Sequence, residues 1–150
     1  MSNATKTSMC GLLILLGGAC AKISPPPPVY AEVPRDYKIT VNSDDNAKRF
    51  EITLLSKSKY DICISVDDWP NNLGELAGGP GRAVLELDDR SLTPNDTNFG
   101  LCIGKRCTVR IKSHDKIRGF INYKEFGYSA DVASSSKKSL AYFVKPYKCD

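Results

Sequence analysis

The chain has 150 residues, of which 41% are hydrophobic and 25% charged, with 21 basic and 17 acidic side chains and six cysteines. That balance belongs to one globular domain and excludes a disordered, collagen-like or multi-span membrane chain. A net charge of +4 with few aromatics among the bases also speaks against a nucleic-acid partner.

The first expected element is an export signal over residues 1–21. The apolar run Cys10–Ala19, preceded by Lys6 and followed by small residues, has the parts of a signal peptide and is too short for a membrane span, which takes about 20 residues. Two endings stand side by side. Ala19-Cys20-Ala21 fits cleavage after Ala21, so that the mature chain starts at Lys22. Leu16-Gly-Gly-Ala-Cys20 approximates a bacterial lipobox, with cleavage before a lipid-bearing Cys20, although its leucine stands one position further out than usual. The expected location is therefore outside the cytoplasm: periplasm, outer-membrane-associated lipoprotein, or secreted.

Residues 22–34, with Pro25–Pro28, read as a Pro-rich linker, and residues 35–150 as the domain. From there apolar and polar residues alternate in short runs split by turn residues, which predicts strands at Tyr37–Val41, Phe50–Leu55, Tyr60–Val66, Ala83–Leu87, Thr108–Lys112, Ile117–Tyr123 and Leu140–Val144. Asp67–Leu76 has room for one short helical turn. No segment carries an amphipathic helical stripe of useful length. About seven short strands without covering helices predict an all-β fold, an antiparallel β-sandwich of immunoglobulin-like architecture, with a small β-barrel as the alternative.

Four cysteines remain after the signal: Cys63, Cys102, Cys107 and Cys149. An even number in an oxidising compartment predicts two disulfides. Gly104-Lys105 suits a two-residue hairpin turn that sets Cys102 opposite Cys107, about 4.5 Å apart at Cα. Cys63–Cys149 follows by elimination. In the third strand Cys63 falls on the face opposite Ile62 and Ile64, so this bridge is expected to pin the C-terminal tail to an outer face or edge. Loop entropy assigns it about 4.6 kcal/mol, against about 2 kcal/mol for the short bridge.

Catalytic signatures are missing from the sequence. The single histidine, His114, sits in Ser113-His-Asp115 at an expected turn, where adjacency does not build a triad. No phosphate loop, nucleophile elbow or metal-protease pair occurs. The expectation is a protein that is not an enzyme and carries no cofactor or metal, although Asp67, Asp68, Asp88 and Asp89 have the right chemistry for calcium.

Two binding features remain. Asp67, Asp68, Trp69, Asn71 and Asn72 form an acid- and amide-rich loop around the only tryptophan. It reads either as a ligand loop or as a lid on the core. The second feature is charge. Residues 36–96 carry twelve acids and seven bases, and residues 97–150 four acids and eleven bases. A basic face of Lys105, Arg106, Arg110, Lys112 and Arg118, with Lys116 and Lys124 beside them, forms if the halves stay apart, and dissolves if their strands interleave. The function expected is a cell-envelope binding module for a protein or an anionic ligand, of inhibitor or immunity type. Alternatives are a structural or assembly lipoprotein, held to the membrane only through its lipid anchor, and a small hydrolase. Asn95-Asp-Thr97 would be a glycan acceptor in a eukaryotic secretory pathway.

Overall fold

The computed structural model describes residues 30–31, 35–97 and 107–149. All seven expected strands form, with boundaries moved by at most three residues: β1 (Tyr37–Asp44), β2 (Arg49–Ser56), β3 (Ile62–Ser65), β4 (Ala83–Glu86), β6 (Thr108–Ile111), β7 (Lys116–Asn122) and β8 (Ser139–Tyr142). Two further strands, β5 (Ser91–Leu92) and β9 (Tyr147–Lys148), are two residues long, too short for alternation to reveal.

The fold is all-β. Its strands make three antiparallel three-stranded sheets, ordered β1-β2-β7, β6-β3-β9 and β5-β4-β8. Each sheet combines strands from both halves of the sequence. Of the two arrangements open to the acidic and basic halves, the strands take the interleaved one: β2 of the acidic half pairs with β7 of the basic half, with Phe50 opposite Ile121 and Thr53 opposite Arg118.

One core joins the sheets. Phe50, Ile52 and Leu54 of β2, Ile62 and Ile64 of β3, Leu85 of β4, Ile111 of β6 and Ile121 of β7 are all buried in a single apolar cluster. Period-two burial along β2 puts those three residues inside and leaves Glu51 and Leu55 outside. Side chains of this size contribute about 1.5–3 kcal/mol each when removed from water. Phe50 also meets Tyr123 and Phe126 at ring-centroid distances of 4.7 and 6.0 Å.

The Cys63–Cys149 disulfide forms as expected, with Cα atoms 5.2 Å apart. It joins β3 to the residue just after β9, its neighbour in the same sheet, so it holds the C-terminal strand in place without bridging two sheets. Cys107 is also disulfide-bonded. Its expected partner Cys102 and the Gly104-Lys105 turn lie outside the described residues.

Three details depart from the sequence reading. Tyr30 and Ala31, in the stretch read as linker, pair with the C-terminal strand: Tyr30 bridges Tyr147 in antiparallel sense, and the Ala31 amide donates to the Pro146 carbonyl at 2.9 Å. A six-residue helix, α1 (Ser129–Ser134), forms where no helix was expected. Its N-cap, Tyr128, supplies no side-chain hydrogen bond, so the start signal that marks a helix in sequence is missing. The third strand is shorter than expected because the Ser65 hydroxyl accepts from the Asp67 amide and turns Val66–Asp68 into a 3-10 helix.

Candidate functional site

The acid- and amide-rich loop is built inward from that 3-10 turn. Arg82, just before β4, donates from Nη1 to Oδ1 of Asp68 at 2.5 Å and also to the Asp67 carbonyl. The Tyr142 hydroxyl of β8 donates to the Asp68 carbonyl at 3.0 Å. Burial there pushes the Tyr142 phenol well above its ordinary range. Trp69 follows at 5% exposure, packed into the core.

Past Pro70 the chain closes on itself and on β7. Asn71 Oδ1 accepts from the amides of Leu73 and Glu75 at 2.9 and 3.1 Å, and the Asn71 amide donates to the Glu75 carbonyl. Gly74, at φ 83°, offers its carbonyl to the Phe120 amide, while the Leu76 amide donates to the Phe120 carbonyl. The segment thus lies along the edge of β7 as a one-residue parallel bridge, Glu75 to Phe120. It covers backbone groups that an edge strand would otherwise expose. Asn122 Nδ2 adds a 2.5 Å bond to Glu75 Oε1. Of the five residues read as a ligand loop, Asp67, Asp68, Trp69 and Asn71 are taken up in holding the loop down, and Asn72 alone is exposed.

His114 lies at φ 62° in the exposed β6–β7 turn. Its sequence neighbours are engaged elsewhere. The Ser113 hydroxyl donates to the Ser58 carbonyl at 2.7 Å, and Asp115 Oδ1 accepts from the Lys116 amide at 2.8 Å. Asp88 is likewise occupied, accepting from both Ser135 and Ser136, whose hydrogen bonds hold its carboxyl below the usual carboxylate range.

The basic residues are arranged by end of the molecule. Lys105 and Arg106 lie outside the described residues. Arg110 and Lys112 leave the sheet of β6, with Arg110 beside Asp61 at 3.4 Å, whereas Arg118 stands on the outer face of the β1-β2-β7 sheet. Backbone bonds stitch these places together. The Ser56 amide donates to Asp115, Lys57 to Asp36 and Cys149 to Asp61, while the Ser113 amide reaches the Asp61 carboxylate. Segments 35–38, 55–61, 110–118 and 147–149 therefore meet at one end. They carry nine bases and three acids, a net of +6, so the rest of the +4 chain sums to −2.

On the outer sheet face, Lys38, Leu55 and Lys116 stand side by side in one cross-strand row, and Thr40, Thr53 and Arg118 in the next but one. Directly opposed side chains sit about 4.5–5.5 Å apart at Cβ. Lys38, Lys116 and Arg118 have no side-chain partner among the described residues, and all three are exposed. The three acids are spoken for: Asp36 by Arg35, Asp61 by Arg110 and Ser113, and Asp115 by the Lys116 amide. Sequence reading placed Arg110, Lys112 and Arg118 in a basic face. It missed Lys38, Lys57, Lys59 and Lys148, because only the strand register brings them to the same end.

Comparison of this chain with protein-family models, with curated proteins and with solved structures finds no match.

Proposed function

We propose that this chain is an exported binding module of the cell envelope and that its basic end holds an anionic partner. The observation that carries this reading is the gathering of nine bases against three acids at one end, where Lys38, Lys116 and Arg118 share one sheet face with no side-chain partner among the described residues. Such a cluster raises the local concentration of anions and speeds their capture. Export is supported by the Cys63–Cys149 disulfide, which belongs to oxidising compartments, together with the signal-like segment before Lys22. No helix among the described residues is long and apolar enough to cross a membrane.

Retention on an immobilised polyanion such as heparin tests the reading. Lys124, expected beside the basic face, instead follows Tyr123, whose amide donates to Lys48 in the β1–β2 turn at the other end, and Lys137 precedes Lys138, which reaches Asp45 in the same turn. The protein should elute at clearly higher salt than its Lys116→Glu/Arg118→Glu variant, and a Lys124→Glu/Lys137→Glu variant, altered at that opposite end, should elute with the wild type. Equal loss in both variants would show that only net charge matters, and the basic end would lose its assignment.

A further inference from the structure

The place where the chain enters the fold gives the anionic partner a chemical class. Tyr30 bridges Tyr147 in antiparallel sense, and Tyr147 is followed by Lys148 and Cys149 at the basic end. The described chain thus enters at Tyr30 from the side of Lys148 and Cys149, running from there toward Pro146. The sequence before Tyr30 includes Cys20 and the apolar run Cys10–Ala19.

We infer that the basic end is a docking surface for the anionic headgroups of a phospholipid bilayer, the kind of surface at which the apolar run, or a lipid on Cys20, would hold the chain. This rests on the reading of that end as an anion-binding surface and names its ligand. Tyr30 lies ten positions after Cys20, a reach of at most about 35 Å when fully extended. Whatever holds Cys20 at a membrane keeps Tyr30, beside Lys148, within that distance of the anchor. Entry of the described chain at Tyr30, beside Lys148, puts the attachment point at the basic end itself.

The composition of the surface suits the interface. Lys38 and Lys116 flank Leu55, which is 38% exposed, and Tyr30 is 57% exposed at the exit point. Long basic side chains with an aliphatic or aromatic neighbour match the headgroup layer, where amphipathic side chains place the apolar part inward and the charge outward. A soluble polyanion would be served by the charges alone and would not require the chain to depart at this end.

The test is flotation of the full chain with vesicles of neutral phosphatidylcholine and with vesicles containing 30% phosphatidylglycerol. The apolar run contributes equally to both, so the ratio of the two partition coefficients reads the basic end. Each Lys or Arg near an anionic bilayer is worth about five-fold in partition. The ratio should therefore fall by more than about 25-fold in Lys116→Glu/Arg118→Glu, since two bases are lost and two acids gained, should fall strongly in 1 M salt, where the Debye length is about 3 Å, and should hold in Lys124→Glu/Lys137→Glu. If the double reversal misfolds, the neutral pair Lys116→Gln/Arg118→Gln gives the same comparison with a smaller fall.

A wild-type ratio near one, or a ratio untouched by the substitutions at the basic end, overturns the inference. If vesicles are not distinguished while heparin retention still depends on Lys116 and Arg118, the ligand is a polyanion, and the bilayer assignment falls while the binding-module reading stands. If neither assay responds to those residues, both fall.

Discussion

Lys138 places its ammonium 2.7 Å from Oδ1 of Asp45, joining the end of α1 to the β1–β2 turn. The same nitrogen donates to the carbonyls of Ala133 and Val132, satisfying the end of a short helix that has no glycine cap, and it sits 5.6 Å from the centre of the Tyr123 ring. Lys138→Met should destabilise the fold by about 1–3 kcal/mol, since hydrogen bonds to a charged group are lost and helix carbonyls are stranded. Chemical denaturation measures it. A change below 0.5 kcal/mol, the usual size of an inconsequential surface substitution, would show that the helix end does not depend on Lys138.

Acid should loosen the same corner. The hydrogen bond from Lys138, then that from Tyr123, hold the Asp45 carboxyl below its usual range, and Ser135 and Ser136 do the same for Asp88. A lowered folded-state value means that the stabilisation is present above the ordinary carboxylate range and is lost as pH falls through the folded value. Melting temperature should drop on going from pH 6 to pH 3, and the drop should be smaller in Asp45→Asn/Asp88→Asn. Parallel curves for wild type and variant would count against these two groups as its source.

Alkali should act through tyrosine. Burial first, and then the hydrogen bond to Asp45, push the Tyr123 phenol up, and burial does so for Tyr142 and Tyr37. A raised folded-state value contributes stability below the unfolded value, about 10, and loses it as pH rises through the folded one. In an ultraviolet titration of the seven tyrosines, a late step coincident with unfolding should appear. Tyr142→Phe should take absorbance from that step and leave the earlier part of the curve unchanged.

The Cys63–Cys149 bridge closes a loop with a sequence separation of 86. Chain entropy assigns such a loop about 4.6 kcal/mol, and measured losses for native bridges run at about 2–5 kcal/mol. Cys63→Ala/Cys149→Ala should lower stability within that range and leave Tyr30 without a fixed strand to pair with. Limited proteolysis near residue 30 should then speed up together with cutting near the C-terminus. Unchanged cutting at residue 30 would separate the two attachments.

Gly119 is where the loop carrying Trp69 presses on β7. A methyl group added there would stand 2.9 Å from Pro70 Cγ and 2.9 Å from Leu76 Cγ. Gly119→Ala should cost about 1–3 kcal/mol by overpacking and shift Trp69 fluorescence to longer wavelength as the loop lifts. Wild-type emission with wild-type stability would mean that the loop adjusts without moving the indole.

Alternation made the strands legible: Phe50, Ile52 and Leu54, or Val109 and Ile111 against Arg110 and Lys112, state their faces outright. The Cys63–Cys149 pairing was legible too, since cysteine number and strand parity left little choice. Register was not. Nothing near Lys38 says that Leu55 and then Lys116 will stand beside it, since pairing across about 80 residues is decided by the whole core. For the same reason the second half of the sequence shows only part of the basic end: Lys38, Lys57 and Lys59 come to it from the first half. Trp69 and its acidic neighbours looked like a site because polar residues around an aromatic serve equally well to fasten a loop, and only Arg82 and Tyr142, distant in sequence, distinguish the two uses.

The interleaving of early and late strands also bears on biosynthesis. A chain delivered from its N-terminus, by ribosome or translocon, presents β1 and β2 long before β7 exists, and β3 before either of its neighbours. Among the described residues, only the β1–β2 and β4–β5 hairpins can pair before residue 108 is delivered; the β1-β2-β7 sheet waits for Asn122, and β3 waits for its second neighbour until Tyr147 and Lys148 arrive. Non-local pairing of this kind folds slowly and leaves strand edges exposed meanwhile. The nascent chain is thus obliged to stay open through most of its delivery, a state suited to threading through a narrow channel and hazardous if it lingers without a chaperone.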